Sequence, residues 1–196
     1  MRWIDVFCLQ RGEKCKPEEP FLHYGLAPDW SPDGKLIAFA WDPNSNIQGQ
    51  RKDSIFIMKP DGSGQPENIS SSLEDCRNPD WSPDGTRIVF SCKYDIYLSN
   101  ADGSGKINLT GGISQDPSEP WRPEDFQPSW DPNGTRIAFL SQRDHLGLYV
   151  GDLDKPLSNA LYTMDIDGSN IKRITLDNRI GITWYSWIIT PIKSNP

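Results

Sequence analysis

Histidine, methionine and cysteine are scarce in this chain of 196 residues: two, three and four respectively. The two histidines, His23 and His145, have no helical H-x-x-x-H spacing and no third ligand near them. A protein metal site needs three or four such ligands, so no metal and no cofactor is expected. A G-x-S-x-G elbow and a phosphate-binding loop are both missing, since the Asp-Gly-Ser-Gly runs read as hairpin turns. No catalytic residue is therefore assigned. No window of ten or more residues carries a helical apolar stripe, and no apolar run approaches the roughly 18 residues that span a bilayer. Net charge is −7, without the basic stripe that a nucleic-acid binder carries. The start, Met1-Arg2-Trp3-Ile4-Asp5, lacks the apolar core of a secretory signal. That leaves a cytoplasmic protein, a mature form or a fragment.

What the chain does hold is a repeat. Pro-Asp-Trp-Ser-Pro-Asp-Gly occurs at 28–34 and again at 79–85, and Pro-Ser-Trp-Asp-Pro-Asn-Gly at 128–134. A period near 50 with a turn in each copy indicates repeat architecture. Each unit reads as four strands. The first ends in Trp30, Trp81 or Trp130. A Ser-Pro-Asp-Gly-type turn leads to the second, at Leu36–Phe39, Ile88–Phe90 and Ile137–Phe139. The third covers Ile55–Met58, Ile96–Leu98 and Leu161–Met164. An Asp-Gly-Ser turn at 61, 102 and 167 leads to the fourth, at Asn68–Ser70, Asn108–Thr110 and Arg173–Thr175. Proline presets φ and glycine supplies positive φ, so both turns have a mechanism. The second strand is apolar on both faces and must be covered on both. The fold class is all-β: a β-propeller of four-stranded antiparallel blades. A β-sandwich of similar strands is the competing fold.

These residues resemble the TolB-type family of WD-repeat-like propellers, whose motif is the W-S-P-D-G turn, an I-A-F strand, an I-Y-x-M strand, then D-G-S and L-T. The resemblance runs from about Leu26 to Thr175 and implies the propeller module alone, as the chain has no room for the extra α/β domain of TolB itself. Blade units are expected at about 26–70, 76–110 and 126–175. Ile4–Leu9 with Arg11–Gly12 reads as an outer strand and its turn, and Ile182–Trp187 as an inner strand. Residues 1–17 and 180–192 would then form a composite blade closing a ring of about four, and the whole of 1–196 would be one domain. No Ser-Pro-Asp-Gly turn follows Trp187, so the closing blade is incomplete or distorted. A piece of a larger propeller is the alternative.

The cysteines fall at facing positions. Residues summing to about 168 oppose each other in the first hairpin of the second unit, which pairs Cys76 with Cys92. Cys8 and Cys15 flank the turn near Gly12. Two disulfides are expected, and disulfides favour a periplasmic, surface or secreted location. Asn68-Ile69-Ser70, Asn108-Leu109-Thr110 and Asn133-Gly134-Thr135 match the glycosylation pattern but read as by-products of the repeat. Asp165–Asn170 looks like the start of a calcium loop, yet Leu176 stands where a closing Glu belongs.

The turns crowd one end of the blades. The other end carries loops of unequal length: 41–53 and 141–159 against 93–95, and 15–25 and 111–126 between blades. Long loops on a rigid scaffold collect binding residues. Trp41, Arg51, Trp121, Arg122, Arg143, His145 and Tyr149 are the candidate contacts, because Trp, Tyr and Arg dominate interaction hot spots. The expected function is a non-catalytic, extracytoplasmic scaffold that binds another protein of an envelope or extracellular assembly, the setting that the TolB resemblance implies. A carbohydrate or small-ligand binder, and the propeller part of a prolyl-oligopeptidase-type peptidase, are the alternatives.

Overall fold

The structure is a computed structural model that describes residues 27–43, 52–111, 123–143 and 159–175. Twelve strands form three antiparallel four-stranded sheets. The first holds β1 (Asp29–Trp30), β2 (Ile37–Trp41), β3 (Ser54–Met58) and β4 (Glu67–Asn68). The second holds β5 (Cys76–Trp81), β6 (Arg87–Cys92), β7 (Asp95–Asn100) and β8 (Ile107–Asn108), and the third β9 (Asp125–Trp130), β10 (Arg136–Ser141), β11 (Ala160–Asp165) and β12 (Lys172–Arg173). Within each sheet the order along the chain is also the order in space. These are the blades that the repeat predicts, and the sheets stack as blades rather than as a sandwich. The expected closing blade from 1–17 and 180–192 lies outside the described residues.

The core sits between blades. Ala38, Ile55, Ile57 and Ile69 of the first meet Trp81, Ile88 and Phe90 of the second. On the other side Val89, Leu98 and Leu109 of the second meet Trp130, Phe139 and Met164 of the third. Alternate residues of β6 therefore serve opposite interfaces, as a period of two requires. Ile88, Val89 and Phe90 are each fully buried, which is why this strand has no polar face.

The turns explain their own spelling. Ser31 Oγ accepts the Leu36 amide at 2.9 Å and donates to Asp33 Oδ1 at 2.8 Å, while Asp33 also accepts the Lys35 amide at 3.1 Å. Ser82 and Asp84 repeat the arrangement in the second blade. In the third, Asp131 stands where serine stands elsewhere. One carboxylate does both tasks there, accepting the Thr135 and Arg136 amides at 2.6 and 2.8 Å. The substitution of Asn133 for aspartate is thereby compensated. The Lys35 ammonium, 3.0 Å from the exposed Asp33, joins the Ser31 and Lys35-amide bonds in drawing that carboxylate down to about 2, and the Ser82 and Thr86 bonds draw Asp84 down to about 2 as well.

The outermost strands start earlier than the sequence suggests, at 67–68, 107–108 and 172–173 rather than 68–70, 108–110 and 173–175. The cause is a side chain that replaces a ladder bond. Ser70 Oγ accepts the Ile55 amide at 2.8 Å, and Thr110 Oγ1 the Ile96 amide at 2.9 Å. Thr175 Oγ1 takes the Leu161 amide in the third blade at 3.3 Å. The hydroxyl of each Asn-x-Ser/Thr triplet at this position is thus committed to its own blade, which accounts for the triplet without any glycan.

Each inner strand carries one conformation that its sequence conceals. Ala27, Asn78 and Gln127, the residues before Pro28, Pro79 and Pro128, have φ of 27°, 53° and 50°. In β5 and β9 this residue sits at a break in register: Cys76 faces Cys92, but Trp81 faces Ile88 after one extra residue. That is a β-bulge, which ends pairing in one register and restarts it in the next.

Candidate functional site

The loop-bearing end is built on rigid roots. β2 and β3 are joined there by the chain from 42 to 53, β10 and β11 by 142–159, and β8 and β9 by 109–124, whereas β6 and β7 are joined by Lys93 and Tyr94 alone. Ion pairs lace the roots across blades. Lys52 of the first blade reaches Glu74 at 3.0 Å, and Lys93 of the second reaches the same carboxylate at 3.7 Å. Arg77, on the inner strand β5, pairs with Asp75 and lies 3.6 Å from the fully buried Asp53 of the first blade. Glu124, at the entry to β9, completes the group. Burial raises its pKa, the Arg77 charge opposes the rise and Asp75 adds to it. One half-exposed guanidinium therefore faces three carboxylates from all three blades.

Two of the expected contact residues are described, and both are also used in packing. Trp41 ends β2, and its ring meets Phe56 edge-on at 5.0 Å and Phe39 at 6.4 Å. Arg143 follows β10. Its guanidinium donates to Asp125 Oδ2 at 2.7 Å and to Ser141 Oγ at 3.0 Å, and lies 5.0 Å from both the Phe139 and Tyr162 rings. Asp125 is buried, which raises its pKa against the pull of Arg143. The side chain of Arg143 is only 15% exposed, so it anchors the root of a loop and offers little surface. Trp41 and Arg143 stand in different blades. Arg51, Trp121, Arg122, His145 and Tyr149 lie outside the described residues.

Cys76 and Cys92 are joined in a disulfide, as their facing positions predict. It ties β5 to β6 at the loop-bearing end, beside Arg77, and is buried in the core between the first two blades. Cys8 and Cys15 lie outside the described residues. Removing the bond as Cys76→Ala with Cys92→Ala is expected to lower stability by about 2 kcal/mol, near the low end for a disulfide because the hairpin is already held by its ladder. Urea denaturation of the double variant against the parent, both unreduced, measures this. A loss below half a kcal/mol would show that the bond adds nothing to the ladder.

The turn end is less uniform than its sequence. Asp29 of the first blade accepts the Trp81 amide at 2.8 Å, and Asp80 of the second accepts the Trp130 amide at 2.6 Å. The first aspartate of the repeat is thus the link to the next blade, and Ser129 stands at this place in the third. Asp29, Asp80 and Ser129 line an open hollow of about 290 Å³ with the three tryptophans. Burial pushes Asp80 up to about 7, with the neighbouring Asp29 charge adding to the rise, and burial raises Asp29 as well. Sequence reasoning assigned this end to scaffold alone and missed both acids, although the change from Asp to Ser at 129 was a visible departure. It also missed Arg77, Asp53 and Glu124, whose meeting depends on how three blades are placed.

Among the described residues no cluster of His, Cys, Asp and Glu has the makings of a metal site, and no helix is long and apolar enough to cross a membrane. No curated protein matches the chain. Among solved structures it is similar to a TolB-assigned protein of Agrobacterium tumefaciens, at 24% identity and a TM-score of 0.55, over 77% of this chain and 46% of that one. A chain of the nidogen/laminin complex is similar at 16% identity and a TM-score of 0.51, over 77% of this chain and 48% of that one. Dipeptidyl peptidase 4 of Porphyromonas gingivalis is similar at 14% identity and 0.51, over 78% and 26%. These likenesses show the fold, a β-propeller of the TolB type, and the chain spans less than half the length of each of these structures. A family model described as the dipeptidyl peptidase IV (DPP IV) N-terminal region matches residues 31–147, more than half of the chain, and the protein belongs to that family.

Proposed function

We propose that this propeller is a non-catalytic scaffold that binds another protein through its loop-bearing end, outside the cytoplasm. The observation that carries the reading is the asymmetry of the two ends. Three of the five connections between described strands at one end are long, and their roots are tied across blades by the Lys52–Glu74–Lys93 and Asp53–Arg77 contacts. A rigid base under long loops is the arrangement that binding proteins use. Its exposed charges of both signs suit a protein partner better than a sugar. The buried Cys76–Cys92 disulfide supports an oxidising compartment, since such bonds persist there. Closure of the ring by residues 1–17 and 180–192 is part of the same proposal.

Site-specific photocrosslinking tests the reading. A photoreactive residue placed at Lys52 or at Lys93, both well exposed at the loop-bearing end, is expected to trap one and the same protein from an envelope fraction. The same residue at Lys35, on the turn end, is expected not to trap it. Equal trapping at both ends, or none at either, overturns the proposal. The family match favours one further reading, in which this chain is the propeller part of a peptidase. An adduct to a serine hydrolase domain at Lys52 and Lys93 would select it.

A further inference from the structure

Asn-Gly occurs once in the chain, at Asn133-Gly134 in the first turn of the third blade. The other two copies of that turn have aspartate at this place, Asp33 and Asp84. Each of those carboxylates holds the amide two residues on, that of Lys35 or of Thr86. In the third blade Asp131 holds the Thr135 amide instead, so the Asn133 side chain is released from the turn. Among the described residues no partner holds its amide, whereas the amides of Asn100, Asn108 and Asn170 donate to Ser104, Asp95 and Asp165. Asn133 is exposed. This exposure belongs to the position and survives neighbours on both sides, because Asp84 of the second blade, with a described blade on either side, is exposed too. Gly134 adds a residue without a β-carbon, which leaves its own nitrogen uncrowded.

We propose that Asn133 is a site of spontaneous deamidation, which adds a negative charge to this turn and, in one of its two products, loosens the junction between the second and third blades. Asparagine is among the chemically labile side chains. The Gly134 nitrogen loses its proton and attacks the side-chain carbonyl carbon of Asn133. A carbon–nitrogen bond forms, the bond to the amide nitrogen breaks, and ammonia leaves with the proton. Water then opens the cyclic imide at one of its two carbonyls. Opening at the side-chain nitrogen bond gives aspartate, the spelling of the other two copies, and leaves the backbone as it was. Opening at the main-chain carbonyl gives isoaspartate, with one more methylene in the main chain between 133 and 134. That displaces Gly134, whose amide closes the turn on the Asp131 carbonyl at 3.0 Å and over which Pro83 of the second blade lies, 3.5 Å from the β-carbon position. The same turn bond sets the pace. The Gly134 N–H must leave Asp131 before its nitrogen can attack, so the fold slows the reaction without preventing it. Neither the partner nor the compartment of the proposed function enters this inference.

The test incubates the full chain at pH 8.5 and 37 °C beside the same chain unfolded in urea. Peptide mapping is expected to find aspartate and isoaspartate at 133 in both, several-fold more slowly in the folded chain. The rate is expected to be lower at pH 6, since the attacking nitrogen must lose its proton. Asn133→Gln, whose longer side chain closes a less favourable ring, is expected to abolish labelling of the folded chain by an isoaspartate-specific carboxyl methyltransferase. The isoaspartyl form, separated chromatographically, is expected to melt below the parent, and Asn133→Asp to melt as the parent does. No conversion in the folded chain by the time the unfolded chain has fully converted overturns the proposal, as does equal conversion at the other asparagines of the folded chain. An isoaspartyl form that melts as the parent does overturns the effect on the junction.

Discussion

Gly103→Ala is expected to destabilise the protein by about 4 kcal/mol, near the upper limit for a single substitution. Gly103 is the glycine of the second Asp-Gly-Ser turn, with φ of +78°. A β-carbon there would lie 2.5 Å from the Ile69 carbonyl oxygen and 2.7 Å from its Cα. Both are backbone atoms of the neighbouring blade, held by the Ile69 amide bond to Ile55, and they cannot swing aside. Two costs therefore add, a left-handed conformation that alanine disfavours by about 1 kcal/mol and the forced separation of two packed blades. Gly64→Ala separates them. It has φ of +83° and open space around it, so it bears the conformational cost alone, about 1 kcal/mol. Gly168, whose β-carbon would come 2.6 Å from the Leu109 oxygen, should behave like Gly103. Chemical denaturation of the three variants measures the contrast. If Gly103→Ala and Gly64→Ala cost the same, close approach between blades is not what the repeated turn geometry provides.

Asp80→Asn is expected to stabilise the protein by about 3 kcal/mol at pH 8 and by almost nothing at pH 4. The carboxyl has an ordinary value near 3.8 when unfolded and is pushed up to about 7 in the fold. An acid with a raised folded value binds more protons folded than unfolded between those two points. Stability is therefore greatest below pH 4 as far as this group is concerned, falls as pH rises through that window, and levels off above pH 7. Asparagine keeps an oxygen for the Trp130 amide, which Asp80 accepts at 2.6 Å, and removes the charge that burial and Asp29 oppose. The variant's stability should thus change far less between pH 4 and pH 8 than the parent's. A parent whose melting temperature does not fall over that range, or an asparagine variant less stable than it at pH 8, would contradict the account.

How much of this was legible without coordinates depends on the distance over which residues cooperate. The turns were legible because their chemistry is local. Ser31, Asp33 and Gly34 act within five residues of one another, and their spelling states their conformation. The pairing of Cys76 with Cys92 was legible for the same reason, as a hairpin converts spacing into contact. The positive φ of Ala27 and Gln127 was not, because neither residue favours it and the following proline argues for extended backbone. The roles of Asp29 and Asp80 were hidden by their place in a repeated motif. Each was read as a residue of its own first strand, and each in fact serves the next blade. Arg143 was read as a contact residue on composition. Its guanidinium also packs against Asp125, Phe139 and Tyr162, which no spacing in the sequence brings together.

The Asp–Trp links between blades join residues 52 and 50 positions apart, and all pairing inside a blade is shorter than that. No described sheet borrows a strand from a distant part of the chain. Each blade can therefore form while the next is still being synthesised, and its aspartate waits for a single amide to arrive about one repeat later. The three described blades thus gain their contacts with one another one at a time, in order. Arrest of translation after the second blade should leave two blades already joined through Asp29 and Trp81, with Asp80 held out toward a tryptophan not yet made.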